Sequence, residues 1–237
     1  MRKPFKFKQF TIYQDHCAMK IGTDGVLLGA WANISNSPES VLDIGAGTGV
    51  IGLMMAQRCS AESIDAIEID EDAFEQCVEN FEASPWADRL FCYHASLDEF
   101  LDEVDDKYDL IISNPPFYSE EFSSGNRARD QARQNSSLPF GLLLRGVSKL
   151  LSESGIFALV TPFKEEKRVQ EEALKFGLYP VHLMHVKGHP SSEVKRSFME
   201  FQFKKTDVIK SELIIEKSRH RYTEEYIRLT QEFYLKM

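Results

Sequence analysis

The chain has 237 residues, 43% of them hydrophobic and 27% charged, with a formal net charge of −9. That length suits one large domain or a domain with an appendage, and no apolar run approaches the roughly 20 residues a membrane span needs. The cysteines, Cys17, Cys59, Cys77 and Cys92, form no CxxC pair, which argues against a structural zinc and a disulfide framework and points to a reducing cytoplasm.

In chain order, Met1 to Lys8 is basic but lacks the apolar core of a signal peptide. Phe5 to Tyr13 reads as an edge hairpin or arm, and Val26 to Ile34 as a helix that Thr23 or Asp24 can cap. From Val41 onward strands and helices alternate, which predicts a parallel sheet covered on both faces. The predicted strands are Val41–Gly45, Ile64–Ile69, Leu90–His94, Leu110–Ser113 and Ile156–Thr161. Helices are expected near Val50–Cys59, Asp72–Ala83, Leu97–Glu103, Phe140–Leu151 and Glu165–Phe176. Two further strands, about Tyr179–Val186 and Phe198–Lys204, close the sheet as an antiparallel pair. Tyr118 to Pro139 is a long polar stretch without hydrophobic period, of the kind that is often functional. After it all come a short strand at Leu213-Ile214-Ile215 and an amphipathic helix starting near Thr223. With no repeat and no linker, residues 1–237 are expected to form one domain: an arm and helix over 1–40, a core over 41–204 and an extension over 205–237.

Chemistry concentrates at three strand ends. Asp43-Ile44-Gly45-Ala46-Gly47-Thr48-Gly49 runs from a strand into a glycine turn and then a helix. The glycines allow close approach of a ligand to the backbone. The spacing is GxGxG rather than the GxGxxG of a dinucleotide fold, and Asp43 suits a cationic amine better than a pyrophosphate. Glu68 ends the second strand about 20 residues later, where a carboxylate can take the ribose hydroxyls of a nucleoside. The fourth strand ends in Asn114-Pro115-Pro116-Phe117. The prolines stop the strand and leave free carbonyls. Asn114 adds a side-chain oxygen and Phe117 a flat apolar face, a combination that suits a planar base carrying an exocyclic amine.

These three stretches resemble the motifs of class I S-adenosylmethionine-dependent methyltransferases acting on an amino group. His16 to Trp31, Arg129-Asp130-Gln131-Ala132-Arg133 and Tyr222-Thr223-Glu224-Glu225-Tyr226 are similar to stretches of the bacterial tRNA adenine-N6 methyltransferases that modify valine tRNA beside the anticodon, at position 37. The resemblance covers most of the chain. It implies a Rossmann-like α/β fold whose seven-stranded sheet is mostly parallel, with the last strand antiparallel and helices on both faces. It implies that Gly45, Gly47 and Gly49 lie under the methionine part of S-adenosylmethionine, that Asp43 orients it, and that Thr23 and Asp24 close over the same end. Glu68 would take the ribose hydroxyls. Many relatives carry an acidic residue after the third strand for the cofactor's adenine amine; here Ala95-Ser96-Leu97 stands there, and Ser96 or a backbone group is expected to substitute. Asn114 and the Pro115 carbonyl would accept from the adenine N6, and Phe117 would stack on the base.

The charge is polarised. Basic residues cluster at Arg127 to Arg133 and Lys187 to Arg196, so Arg127, Arg129, Arg133, Lys195 and Arg196 are candidates for phosphate contacts. No histidine cluster has metal-ligand spacing, so no metal is expected, and a monomer is favoured. Ribosomal RNA guanine-N2 and protein glutamine methyltransferases use the same strand end, and the pocket alone does not separate them. A binding module that has lost catalysis is the other class, against which the intact motifs argue.

Overall fold

The computed structural model describes residues 3–116 and 138–237. Its centre is an eight-stranded sheet. Along the chain the strands are β3 (Ser40–Ile44), β4 (Ser63–Glu68), β5 (Leu90–His94), β6 (Tyr108–Ser113), β7 (Leu151–Pro162), β8 (Tyr179–Lys187), β9 (Arg196–Gln202) and β10 (Ile209–Ile214). They lie in the order β10-β8-β9-β7-β6-β3-β4-β5. Within this sheet β9 alone runs against its neighbours, antiparallel to both β7 and β8. The expected Rossmann-like class therefore holds, with eight strands where seven were expected. The additional strand is β10, which runs parallel to β8 and starts four residues before the predicted Leu213-Ile214-Ile215 segment. Its first four residues are exposed and, after Ile209, polar, so they show no apolar period, and only its buried end was legible.

The central strands are apolar on both faces, as a doubly covered parallel sheet requires. Leu42, Ile44 and Ile111 pack with Leu97, Leu143, Val147 and Val169. These come from α4 (Leu97–Glu103), α5 (Phe140–Leu150) and α6 (Glu166–Lys175). Val41, Leu110 and Ile112 face the other way, among Val26, Leu53, Met54 and Phe81. That layer is built by α1 (Thr23–Trp31), α2 (Val50–Arg58) and α3 (Glu71–Glu82). The arm pairs Phe5–Lys6 (β1) with Thr11–Ile12 (β2) in antiparallel register and stacks Phe7 on Phe10 and Tyr234.

Helix α1 begins earlier than its apolar run suggests. Gly22 is its N-cap and no side chain caps it, so neither Thr23 nor Asp24 has that role. It approaches α2 closely: a Cβ on Gly29 would stand 2.7 Å from the Met54 sulfur. The Arg58 guanidinium holds the other end, donating to the Gly29 and Ala32 carbonyls at 2.8 Å. These are C-terminal carbonyls without helical partners, which a cation satisfies well. Glu200, buried on β9, accepts from the Asn33 amide just beyond at 2.7 Å. The clamped helix lies beside the strand ends, where it forms one wall of the site.

Candidate active site

Register brings the three motifs together. Ile44 pairs with Ile67 on one side and with Ser113 on the other. The next residues, Gly45, Glu68 and Asn114, therefore leave the sheet side by side at its carboxyl edge. The chain order reverses between β3 and β6, and such a switch point opens a crevice for ligands. The Ser113 hydroxyl fixes the spacing by donating to the Ile44 carbonyl at 2.8 Å.

The glycine turn is tied to the neighbouring strand. Gly45 and Ala46 donate to the Ile67 carbonyl at 2.9 and 3.1 Å. Gly45, Gly47 and Gly49 have φ of 76°, 56° and 76°, a region that costs other residues roughly 1–2 kcal/mol. Their surroundings differ. A Cβ on Gly49 would lie 2.6 Å from the Phe81 ring and 2.8 Å from the Cys77 sulfur, whereas Cβ atoms on Gly45 and Gly47 would meet no atom within 4 Å. Gly49 thus serves the packing of α3, and Gly45 and Gly47 face open space.

Asp43 is 1% exposed and its two oxygens have no hydrogen-bond partner among the described residues. A buried carboxylate without partners resists ionisation. Burial pushes its pKa up to about 7, the nearby Gly52 amide pulls it down without reaching hydrogen-bond geometry, and the Glu68 charge adds to the rise. Glu68, by contrast, is well supplied with hydrogen bonds. Its carboxylate accepts from the Gly47 amide at 2.7 Å and from the Ile69 and Asp70 amides at 2.9 and 3.0 Å. An ionised carboxylate has about four acceptor sites, so these three bonds fix its position and leave capacity for a further donor. Ile69, next in sequence, is 53% exposed and offers an apolar surface there.

Asn114 sits against α1, and a Cβ on Gly25 would be 3.5 Å from its Nδ2. Its side chain makes no hydrogen bond among the described residues, and Pro115 beside it is buried. Phe117, Arg127, Arg129 and Arg133 lie outside the described residues. Thr23 is exposed at the start of α1. Asp24 accepts from Arg196 Nε at 2.7 Å, both side chains about one-third exposed, so the candidate cofactor residue and the candidate RNA residue are partners. Lys195 is exposed, and its backbone links β7 and β8.

Ser96 is a helix cap. Its hydroxyl donates to Glu99 at 2.7 Å and accepts from the Glu99 amide at 3.3 Å, while the Glu99 carboxylate reaches back to the Ser96 amide at 2.8 Å. These reciprocal bonds are a capping box, which is a local reason for a serine here.

Two residues that the motifs do not show complete the wall. Asn80 donates to the Thr48 and Tyr13 carbonyls at 2.9 Å and accepts from the Tyr13 amide at 2.8 Å. Gln76 accepts from the Asp15 amide at 3.1 Å. Both are buried polar residues four apart on α3, and together they stitch the N-terminal arm to the glycine turn. Their signal in the sequence is an amide pair on the helix's otherwise apolar stripe. The segment they hold brings Cys17 under the acidic strand end, where burial and then Glu68, Asp70 and Asp72 push its thiol up to about 12.

This sheet order, with a glycine turn and an acidic strand end at the switch point, defines a Rossmann-like methyltransferase. The chain matches the family described as Methyltransferase small domain over residues 22–135. Among solved structures it is similar to a predicted O-methyltransferase from Agrobacterium tumefaciens (TM-score 0.67, 17% identity, 89% of this chain and 96% of that one). It is also similar to the N-methyltransferase NodS from Bradyrhizobium japonicum (TM-score 0.52, 14% identity, 74% and 90%). Sequence relatives are far closer. A tRNA1(Val) (adenine(37)-N6)-methyltransferase of Flavobacterium johnsoniae is 58% identical over 98% of this chain and 100% of its own length. One of the same name from Bacteroides fragilis is 45% identical over the whole of both. The chain belongs to the tRNA1(Val) (adenine(37)-N6)-methyltransferase family.

The residues present fit S-adenosylmethionine on the geometry alone. The partnerless Asp43 carboxylate suits an ammonium, the open space over Gly45 and Gly47 suits a ligand on the backbone, and Glu68 suits ribose hydroxyls. Among the described residues no group of three or more His, Cys, Asp and Glu is placed to hold a metal ion, and no helix is long and apolar enough to cross a membrane.

Proposed function

We propose that this protein methylates the N6 amine of adenine 37 in tRNA1(Val), the activity for which its relatives are named. The observation that carries the reading is the row of strand ends, which sets Asn114 and Pro115 next to the Asp43 and Glu68 cofactor residues. When bound, S-adenosylmethionine supplies an electrophilic methyl group on a sulfonium.

Asp43 holds the amine of that cofactor, Gly45 and Gly47 admit it to the backbone, Glu68 takes a ribose hydroxyl, and Ile69 covers a face of the adenine. Thr23 lies over the methionine end, with Asp24 holding the wall through Arg196. On the acceptor side, the Asn114 side-chain oxygen and the Pro115 carbonyl accept from the two N–H bonds of N6. The N6 lone pair is delocalised into the ring, so these bonds draw the nitrogen toward tetrahedral geometry and stabilise the positive charge that grows on it. Phe117 stacks on the base and holds it in line. Neither Asn114 nor Pro115 titrates, so the proton that the nitrogen loses passes to water. An anticodon-loop base is unpaired or easily extruded, which lowers the cost of reaching the pocket.

The test is methyl transfer from labelled S-adenosylmethionine to bulk tRNA, ribosomal RNA and release-factor protein in parallel, followed by mass spectrometry of the products. The expected product is N6-methyladenosine in the tRNA lane. Label in ribosomal RNA or protein alone would replace the substrate assignment while leaving the cofactor site in place.

A further inference from the structure

Phe163 opens the short turn Phe163–Glu165 between β7 and α6, and the residue is 40% exposed. An exposed aromatic is not informative by itself, but this one is held on a support. Its amide donates to the Lys195 carbonyl at 3.1 Å. Its ring meets the His185 imidazole edge-on, with centroids 5.0 Å apart and planes at 78°. His185 is held in turn by the Glu166 carboxylate at 2.7 Å, and Glu166 also accepts from the hydroxyl of the fully buried Ser197. The methyl-transfer chemistry uses none of these groups. Lys164 follows Phe163 in sequence and Lys195 is joined to it through the backbone; both are exposed and neither has an ion-pair partner among the described residues.

The turn that carries the ring is tied to the wall of the acceptor site. Pro162, just before it, pairs with Arg196; Arg196 reaches Asp24 at 2.7 Å; and the next residue, Gly25, lies against Asn114. Strands β6 and β7 are neighbours, with Ser113 opposite Leu159. Phe163 is four residues beyond Leu159, roughly 13 Å along the strand direction. Asn114 is itself one residue beyond Ser113, so Phe163 stands three residues, roughly 10 Å, further along at the same edge of the sheet.

We propose that Phe163 is a stacking platform for an unpaired nucleobase flanking the target adenine, with Lys164 and Lys195 meeting the adjoining phosphates. The chemistry is that of single-strand binders, in which a fixed aromatic face takes a base and nearby cations take the backbone. The inference rests on the tRNA-adenine reading given above and extends it to a second nucleotide.

The test compares wild type, Phe163→Ala and Phe163→Tyr as full-length proteins in methylation of valine tRNA, with thermal stabilisation by S-adenosylhomocysteine as a second readout. Loss of one stacked base corresponds to a roughly 5- to 150-fold rise in KM for tRNA in Phe163→Ala. The S-adenosylhomocysteine-induced shift in Tm stays at the wild-type value, and Phe163→Tyr restores KM to within about threefold. An unchanged KM in a folded Phe163→Ala overturns the platform while leaving the methyltransferase reading intact. Wild type that is inactive on tRNA overturns both. Should Phe163→Ala fail to fold, Phe163→Trp is titrated with tRNA: quenching of the added indole emission supports stacking, and unchanged emission at saturating tRNA refutes it.

Discussion

At the level of single residues, the most informative group is the partnerless Asp43. Its pKa of about 7 lies above the unfolded value of 3.8, so ionising it costs folded-state stability. The contribution is fully present below about pH 4 and is lost as pH rises through about 7. The unliganded protein should therefore lose Tm across that window, and Asp43→Asn should flatten that part of the profile. A cationic amine prefers the ionised form, so affinity for S-adenosylhomocysteine should fall below pH 7 by at most about tenfold per unit. Calorimetric titration at several pH values checks this, and an equal pH dependence in Asp43→Asn would refute it. Asn114→Ala should lower kcat by about 100-fold, the scale of one lost charge-stabilising contact, with S-adenosylhomocysteine binding retained. Parallel loss of binding would make Asn114 a structural residue.

Among the elements, the glycine turn offers a controlled comparison, because Gly45 and Gly49 share a φ of 76°. Alanine brings the same backbone strain at either site. At Gly49 it also collides with Phe81 and Cys77 from α3, whereas at Gly45 it projects into open space. Gly49→Ala should thus lose about 1–3 kcal/mol more stability than Gly45→Ala, given the usual cost of overpacking a core. Gly45→Ala should keep its fold and lose cofactor binding. Melting curves with and without S-adenosylhomocysteine separate the two.

The same elements show what was legible beforehand. Gly45, Gly47, Gly49, Glu68 and Asn114 could be read because each sits at a strand end whose apolar run stops in a few residues with special backbone or polar chemistry. The capping box at Ser96 was equally local, a serine followed three residues later by Glu99, and the expected adenine contact hid it. The Asp24–Arg196 pair spans 172 residues and the Tyr13–Asn80 bonds span 67. Such contacts have no local signature. Only the end of strand β10 was legible, for another reason, since an exposed edge strand needs no apolar face to pair its backbone.

For the whole molecule, the puzzle is a chain of net charge −9 acting on a polyanion. The carboxyl edge of the sheet resolves part of it, since Lys164 and Lys195 stand there without carboxylate partners among the described residues. Binding through a few such cations should weaken steeply with salt, with a log–log slope on the order of −2 to −4 if three to five phosphates are neutralised. A flat response would show that the cations do not hold the RNA.

The central claim is that one row of strand ends delivers a methyl group to a single adenine amine. Its most direct test uses two valine tRNA transcripts, one with adenosine and one with guanosine at position 37, the nucleotide for which the relatives are named. With labelled S-adenosylmethionine, the adenosine transcript should take up about one methyl group per molecule, all as N6-methyladenosine, and the guanosine transcript none. Equal labelling of both would place the target elsewhere, and label on any atom other than adenine N6 would contradict the chemistry assigned to Asn114 and Pro115.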